Sequence, residues 1–289
     1  MFDLYQTVTD KIVAALEAGN IPWVKPWKDG QGYGSESIPF NGFTGNNYKG
    51  INILLLGCTA YTSNVWLSFK QAKLLGGSVK KEEKSTMIVF WSRKIKTDKK
   101  TGKEKVSFVF MYHNVFNLEQ CEGIDPAKVK RPKVGTMQDT TATIVAANHG
   151  ATVNYGGDRA FFSPMTDSIT MPVQDTFQNI EAHDATLYHE LTHWTAPKCR
   201  LDRDLSGRFG DESYAFEELV AELGSAFLCA RVGIEQVTQS SAYIQSWIKV
   251  LKGDKTAIYK ASKLAQAAAD YLLPQNDEAV NDESEDEAA

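Results

Sequence analysis

The sequence lacks the features that mark membrane-spanning, secreted and thiolate-metal proteins. It has no run of about 18 apolar residues, so no membrane-spanning helix is expected. Met1–Tyr5 lacks the basic and apolar regions of a signal peptide, and we therefore expect a cytoplasmic protein. A CxxC pair is also absent, so the sequence indicates neither a disulfide framework nor a thiolate zinc site. The four cysteines are widely spaced, at Cys58, Cys121, Cys199 and Cys229.

Charge is distributed unevenly along the chain. Residues 1–133 carry 20 Lys+Arg against 12 Asp+Glu, a net charge of +8. Residues 134–289 carry 11 against 24, a net charge of -13. Because a strongly basic half attracts polyanions, this asymmetry suggests that the first half of the protein contacts nucleic acid.

Length and helix-breaking residues predict two domains of the α+β class. A chain of 289 residues is long for a single core, and a stretch with two prolines and no apolar periodicity separates the two halves. The C-terminal tail contains seven acidic residues and no basic one, and we expect it to be disordered. The predicted parts are a basic domain over 1–124, a linker over 125–138, a domain with a short mixed sheet and a metal-binding helix over 139–274, and an acidic tail over 275–289.

Apolar periodicity and turn residues predict the elements of each half. In the basic half they predict helices over 2–18 and 63–75 and a hairpin of two strands, 86–95 and 105–116. In the acidic half they predict helices over 140–148, 177–196, 214–232, 241–251 and 254–273, and strands over 151–155, 159–163 and 168–171.

Two segments of the basic half have the composition of a nucleic-acid surface. In the first, two prolines exclude a helix from residues 21–28, and Trp23 and Trp27 alternate with lysines that include Lys25. Rings on such an extended backbone suit base stacking combined with phosphate contacts. The alternative is that both tryptophans pack under the N-terminal helix. Tyr48 and Lys49, in the Gly- and Asn-rich loop that follows, are assigned to the same DNA-binding surface.

The second segment is the predicted hairpin. Trp91, Arg93, Lys94 and Lys96 precede further lysines at its tip, and this mixture of an aromatic ring with cations is typical of nucleic-acid contacts. A charged hairpin tip is equally typical of plain solvation, so the composition leaves both interpretations open.

The acidic half contains the motif H-E-x-x-H at residues 189 to 193. On a helix, positions i and i+4 lie on one face, so His189 and His193 can bind one metal ion. Glu190 lies beside them, where a general base is needed. The alternative is a pair of surface histidines with an accidental glutamate between them.

A third ligand is predicted on the next helix. Glu218 and Glu222 lie one turn apart on a polar stripe beside an apolar face, and buried carboxylates there are costly unless they bind something. We assign Glu218 as the ligand and Glu222 as the acceptor for an imidazole N–H group. Glu217 is the second choice for the ligand. A solvated acidic face is the remaining interpretation.

Two imidazoles and one carboxylate leave an open coordination position, the arrangement of a catalytic zinc site. Such an ion activates water and polarises a carbonyl group, and Glu190 would take the proton, so the expected reaction is amide hydrolysis. Mn²⁺ or another divalent ion suits the same ligand atoms. The strands that precede the helix are placed to hold an extended peptide by main-chain pairing.

Together these motifs make the chain similar to ArdC-type antirestriction proteins, which are encoded on conjugative plasmids and are related to the N-terminal part of TraC-type plasmid primases. The resemblance covers nearly the whole chain except the acidic tail. Where the family usually has Thr-Gly after the Trp that follows the motif, this chain has Thr195-Ala196, which changes the exit of the helix and leaves the ligands unchanged. The matching segments are 21–23, 40–42, 47–52, 154–160, 189–195 and 214–224.

The resemblance implies an N-terminal domain that binds single-stranded DNA, a C-terminal zincin-like metallopeptidase domain, and protection of incoming plasmid DNA from host restriction. It identifies no protein substrate. Two other hypotheses stay open. In the first hypothesis, the protein blocks restriction by occupying DNA or by contacting the restriction enzyme, and its metal site serves only structure. In the second, it is a regulatory protease that cleaves a host protein. No membrane partner is expected.

Overall fold

The computed structural model describes residues 3–24, 38–97, 104–132, 141–207, 211–234 and 241–274. Within these ranges the chain is a two-domain α+β protein with mixed sheets, as predicted. Its helices are α1 (Leu4–Glu17), α2 (Ile51–Gly57), α3 (Phe69–Leu74), α4 (Ala142–Asn148), α5 (Ile180–Trp194), α6 (Glu212–Val232), α7 (Ser241–Gly253) and α8 (Ala257–Leu272). Its strands are β1 (Phe40–Asn41), β2 (Val65–Leu67), β3 (Ser78–Val79), β4 (Thr86–Thr97), β5 (Glu104–Asn117), β6 (Cys121–Glu122), β7 (Thr152–Tyr155), β8 (Phe161–Ser163) and β9 (Ser168–Met171).

A four-stranded sheet with the order β1-β2-β5-β4 organises the basic half. Strands β4 and β5 form the predicted hairpin, and their antiparallel register runs from Thr86 opposite Val115 to Thr97 opposite Glu104. Strand β2 joins this hairpin to β1, with which it pairs in parallel. The prediction of strands over 86–95 and 105–116 is therefore confirmed, and each strand is two residues longer than predicted.

The predicted helix over 63–75 is wrong in its first half. Residues 65–67 form β2, in which the backbone of Phe40 and Asn41 pairs on one side and that of Phe116 and Asn117 on the other. The helix begins only after Ser68, whose side chain accepts from the N–H of Gln71 while the Gln71 side chain accepts from the N–H of Ser68. Pairing on both sides of the strand overrides the helical spacing of its apolar residues.

Helix α1 packs into a core that contains residues from both halves of the chain. Val8 and Ile12 are fully buried, and α1 lies against α7 near the C-terminal end of the described residues. The Oγ1 atom of Thr9 donates to the carbonyl of Lys255 at 2.8 Å, which ties the helix to the start of α8. The N-terminal helix therefore completes a core that the C-terminal helices build. The boundaries 1–124, 125–138 and 139–274 stay a prediction.

The acidic half combines a small sheet with two long packed helices. The sheet has the order β7-β9-β8, with β7 parallel and β8 antiparallel to β9. Helix α5 begins after Asn179, whose side chain accepts from the N–H of Ala182. Helix α6 ends at Gly233, where φ is +73°. Both helices were predicted with nearly these bounds.

Close contact between α5 and α6 depends on Gly224. A Cβ atom at this position would lie 2.5 Å and 2.6 Å from the Cγ2 and Oγ1 atoms of Thr192, whose side chain is fully buried. The absent side chain therefore lets the two backbones approach. This approach brings the carboxylates of α6 next to the histidines of α5.

The predicted acidic tail over 275–289 lies outside the described residues. Among the helices of the described ranges, none has the length and apolar character needed to span a bilayer.

Candidate metal centre and cleft

Helices α5 and α6 bring three predicted ligands together. The Nε2 atoms of His189 and His193 lie 3.6 Å and 3.5 Å from the two carboxylate oxygens of Glu218. In the described residues these three side chains form a candidate metal site, with one ligand atom from each and all three atoms within 4.8 Å of one another. Ligand atoms of a tetrahedral zinc ion, at bond lengths of about 2.0–2.1 Å, lie about 3.3 Å apart. The residues present therefore fit a divalent ion.

Each imidazole also faces a carboxylate on its other nitrogen. The Nδ1 atom of His193 lies 3.3 Å from Glu217 Oε1, and the Nδ1 atom of His189 lies 3.7 Å from Glu222 Oε2. An acceptor beside Nδ1 keeps the proton there and leaves the Nε2 lone pair for a metal ion. Glu222 thus lies beside the His189 ring at a distance longer than a direct hydrogen bond, and its role as the acceptor stays a prediction.

The position of Glu217 argues against its role as the alternative ligand. Its carboxylate lies on the Nδ1 side of His193 and accepts hydrogen bonds from the buried guanidinium of Arg203, the shortest at 2.8 Å. The same guanidinium donates to Thr195 Oγ1 at 2.7 Å and to the carbonyl of Thr192 at 2.6 Å. Arg203 therefore fixes the acceptor of His193 relative to the end of α5. In the sequence, Arg203 is recognisable only as part of a loop rich in Arg and Asp, and nothing there indicates this role.

The electrostatics of the site favour a bound cation. Burial lowers the pKa of His193, but the carboxylates of Glu217 and Glu218 outweigh burial and raise this pKa to about 9. Burial likewise lowers the pKa of His189, and Glu218 and Glu222 raise it well above the ordinary value. For Glu218, burial raises the pKa, while both imidazoles bring it below the ordinary range. The carboxylates thus surround the histidines with negative charge that a divalent ion neutralises.

A cleft of about 570 Å³ opens onto this site. Strand β8 contributes Phe161 and Phe162 to its wall, and Glu190, which is 7% exposed, lies in its lining. Within the described residues β8 pairs only with β9, so its second edge is open to another strand. Tyr214 and Tyr243 also line the cleft, and no motif or spacing in the sequence singles them out. Burial and the nearby carboxylate of Glu218 raise the pKa of both hydroxyls.

The residues predicted to bind DNA are not brought together. Trp23 is 6% exposed and packs edge to face on Trp247, with ring centroids 5.7 Å apart. Tyr48 is 8% exposed and belongs to a second buried cluster. Neither ring presents a face for stacking, so these two assignments are wrong, and for Trp23 the alternative of packing in the core holds. Lys49 is exposed.

The other predicted DNA contacts are not visible as side chains. Lys25 and Trp27 lie outside the described residues, as does the tip of the hairpin over 98–103. Arg93, Lys94 and Lys96 belong to β4, of which only the backbone is described at these positions. Their assignment to a DNA-binding surface stays a prediction.

Two known protein families match different parts of the chain. Residues 2–116 match the N-terminal domain of anti-restriction factor ArdC. Residues 140–264 match a family of zincin-like metallopeptidases.

Solved structures support the same likeness over the whole fold. The metal-free crystal structure of the antirestriction ArdC protein from the R388 plasmid is 42% identical, with a TM-score of 0.78 over 94% of this chain and 97% of that one. The Mn(II)-bound structure of the same protein is 41% identical, with a TM-score of 0.76 and the same coverage.

Relatives at the sequence level are of two lengths. A protein named DNA primase TraC, from Escherichia coli, is 36% identical over 98% of this chain, but the match spans only 28% of that protein. A second TraC primase matches over 20% of its length. The uncharacterized protein y4eC of Sinorhizobium fredii is 34% identical over 97% of this chain and 95% of its own length.

Proposed function

Because this chain belongs to the ArdC family of antirestriction proteins and carries a zincin-like domain in its C-terminal region, we propose that it protects incoming conjugative plasmid DNA from host restriction. In this proposal the basic half binds single-stranded DNA and the acidic half is a metal-dependent peptidase. The same proposal assigns the protein to the cytoplasm, where incoming DNA meets restriction enzymes.

The observation that carries the peptidase proposal is the arrangement of His189, His193 and Glu218 around one point at the end of an open cleft. Three protein ligands with a free approach from the cleft are the arrangement of catalytic zinc sites, whereas structural sites are closed by four protein ligands. Zinc is the proposed ion. Mn²⁺ is the alternative, since a relative has been crystallised with Mn(II) bound.

Each residue around the cleft has a separate role in the proposed reaction. When bound, the ion would supply Lewis-acid activation of water and of a substrate carbonyl group. Glu190 accepts and returns the proton, because it lies in the cleft lining beside both histidines. Glu217 and Glu222 hold the imidazole protons on Nδ1. The open edge of β8 aligns an extended peptide by main-chain hydrogen bonds.

The DNA-binding part of the proposal is supported by the charge of +8 over residues 1–133 and by the match of residues 2–116. It is tested by binding of a labelled oligonucleotide at increasing salt. Affinity is expected to fall steeply with salt, because bound cations replace the counterions of the phosphates. Absent binding, or binding that does not depend on salt, would contradict it.

A second candidate function needs no catalysis. The basic half suits a protein that protects DNA by occupying it or by contacting the restriction enzyme, with the metal site serving only structure. Both candidates predict that the ion binds, and they differ in whether Glu190 is needed.

One experiment separates the two candidates. Wild type, Glu190→Gln and His189→Ala are compared for zinc content and for protection of plasmid DNA during transfer into a restricting host. If protection needs the peptidase, Glu190→Gln keeps the metal and loses protection, because glutamine cannot accept the proton. Full protection by a Glu190→Gln variant that retains zinc would favour the second candidate. His189→Ala controls for loss of the metal itself.

A further inference from the structure

The β4–β5 hairpin places apolar side chains in a row on one face. Directly opposed residues of an antiparallel pair project to the same side, and every second residue of a strand does so. The register sets Tyr112 opposite Val89, Phe110 opposite Trp91, Phe108 opposite Arg93 and Val106 opposite Ile95. These eight positions therefore belong to one face, called here the aromatic face of the hairpin.

Much of this face is strongly exposed. Phe108 is 65% exposed, Trp91 53%, Ile95 50%, Tyr112 46% and Val106 43%. Large apolar side chains scattered singly over a surface are common, but a contiguous group of five on one hairpin marks a binding site. The face is therefore a candidate for contact with another molecule.

The inner end of the aromatic face is anchored in the fold. The ring of Phe110 stacks on Tyr5 of α1 at 4.8 Å and meets Tyr259 of α8 edge to face at 5.2 Å. Trp91 lies 4.9 Å from Phe110, so it is held by this packed ring group while half of its surface faces solvent. The rings near the anchor are thus preorganised, which lowers the entropy cost of stacking a ligand on them.

Charge decides among the molecules that such a face can bind. Residues 93–105 contain Arg93 and six lysines against only Asp98 and Glu104. An interface core with another protein is usually depleted in lysine, whereas aromatic rings combined with many cations are the composition of single-strand binding surfaces. Trp91 and Phe108 are diagonal neighbours across the two strands, about 7–8 Å apart, which leaves room for a base to stack on each ring.

We propose that the aromatic face of the hairpin, with Trp91 and Phe108 as its principal rings, is the stacking platform for single-stranded DNA. This proposal rests on the DNA binding of the proposed function and gives it a location, in place of Trp23 and Tyr48. The basic composition of residues 93–105 supplies the positive charge that binding of a phosphate backbone requires.

The test measures binding of a fluorescein-labelled oligothymidylate by anisotropy. Trp91→Ala and Phe108→Ala are each expected to weaken binding roughly 5- to 100-fold, the effect of removing one stacked ring. Trp91→Phe keeps a ring and is expected to stay close to wild type. Stacking also quenches tryptophan fluorescence, so the quenching caused by DNA in wild type should be largely lost in Trp91→Phe, although its affinity is retained. This second measurement does not depend on a variant that tolerates alanine.

Phe69→Ala is the matched control. Phe69 is 49% exposed and lies on α3, where its ring packs near Phe116, about 27 Å along β5 from Phe108. The control removes an equally exposed ring from the same half of the protein and is expected to bind as wild type does. If both alanine variants bind DNA as tightly as wild type, the platform lies elsewhere and DNA binding itself stands. If wild type does not bind single-stranded DNA, both this proposal and the DNA part of the proposed function fail.

Discussion

Replacing Arg203 with methionine tests how the metal centre is held together. Methionine keeps most of the length of the side chain and removes every donor. The buried guanidinium donates to Glu217, to Thr195 Oγ1 and to the carbonyl of Thr192. Glu217 is only 7% exposed, so the variant leaves its carboxylate buried beside His193 without its cation.

Two magnitudes follow from this geometry. Removing one partner of a buried ion pair costs about 3–5 kcal/mol, so the free energy of unfolding of the metal-free protein should fall by about that amount. The acceptor of the His193 N–H also loses its fixed orientation, and changes of this kind lower metal affinity about 10- to 100-fold. Burial raises the pKa of Glu217, and His193 and Arg203 together bring it below the ordinary value, which agrees with a carboxylate that is ionised because it is paired.

Urea unfolding and zinc titration against a chromophoric chelator measure the two effects. Lys249→Met is the matched control, because Lys249 forms an exposed ion pair of 3.8 Å with Glu212 and should change neither quantity measurably. The double variant Arg203→Met with Glu217→Gln removes the unpaired charge, so it should regain stability without regaining full metal affinity. If Arg203→Met unfolds within about 0.5 kcal/mol of wild type and binds zinc equally well, the positioning role is refuted.

Three further predictions concern the ion, the helix contact and the core. Excess zinc at 100 times its Kd should stabilise the protein by about 2.7 kcal/mol in thermal unfolding, and His193→Ala should abolish this gain; an equal gain in the variant would place the ion elsewhere. Gly224→Ala should weaken zinc binding in a zinc titration, because its methyl group would lie 2.5 Å from Thr192 and must push α6 away from α5. Unchanged affinity would show that the two helices accommodate the methyl group without displacing the ligands. Trp23→Ala should lower the free energy of unfolding, measured in urea, by about 3–5 kcal/mol. The folded variant should bind the oligonucleotide with unchanged affinity. A loss of affinity without a loss of stability would show that Trp23 contacts DNA.

The metal centre was predictable because its determinants are local. The i, i+4 spacing fixes His189 and His193 on one helical face whatever surrounds the helix, and the polar stripe of α6 identifies Glu218 and Glu222 by the same period. Arg203 was missed because its partners are 8 to 14 residues away along an irregular loop. No periodicity describes a contact of that kind.

The DNA surface was less predictable because composition does not reveal burial. The alternation of Trp with Lys near residue 23 does not distinguish an exposed ring from a buried one. The ring of Trp23 packs on Trp247, a residue more than 200 positions away in the sequence. The strands of the hairpin were identified from their β-branched and aromatic residues, but the exposure of Phe108 depends on how far the hairpin extends beyond α1 and α8. Only the assembled fold contains that information.

The packing of α1 against α7, and its link to α8, has an evolutionary consequence. Thr9 in the first half donates its hydroxyl hydrogen bond to the carbonyl of Lys255 in the second half, and the ring of Trp23 packs against Trp247. A recombination event that transferred only one half to another gene would expose the apolar side of α1 and the surface of α7 and α8 against which it packs. We therefore expect the two halves to be kept together on one chain.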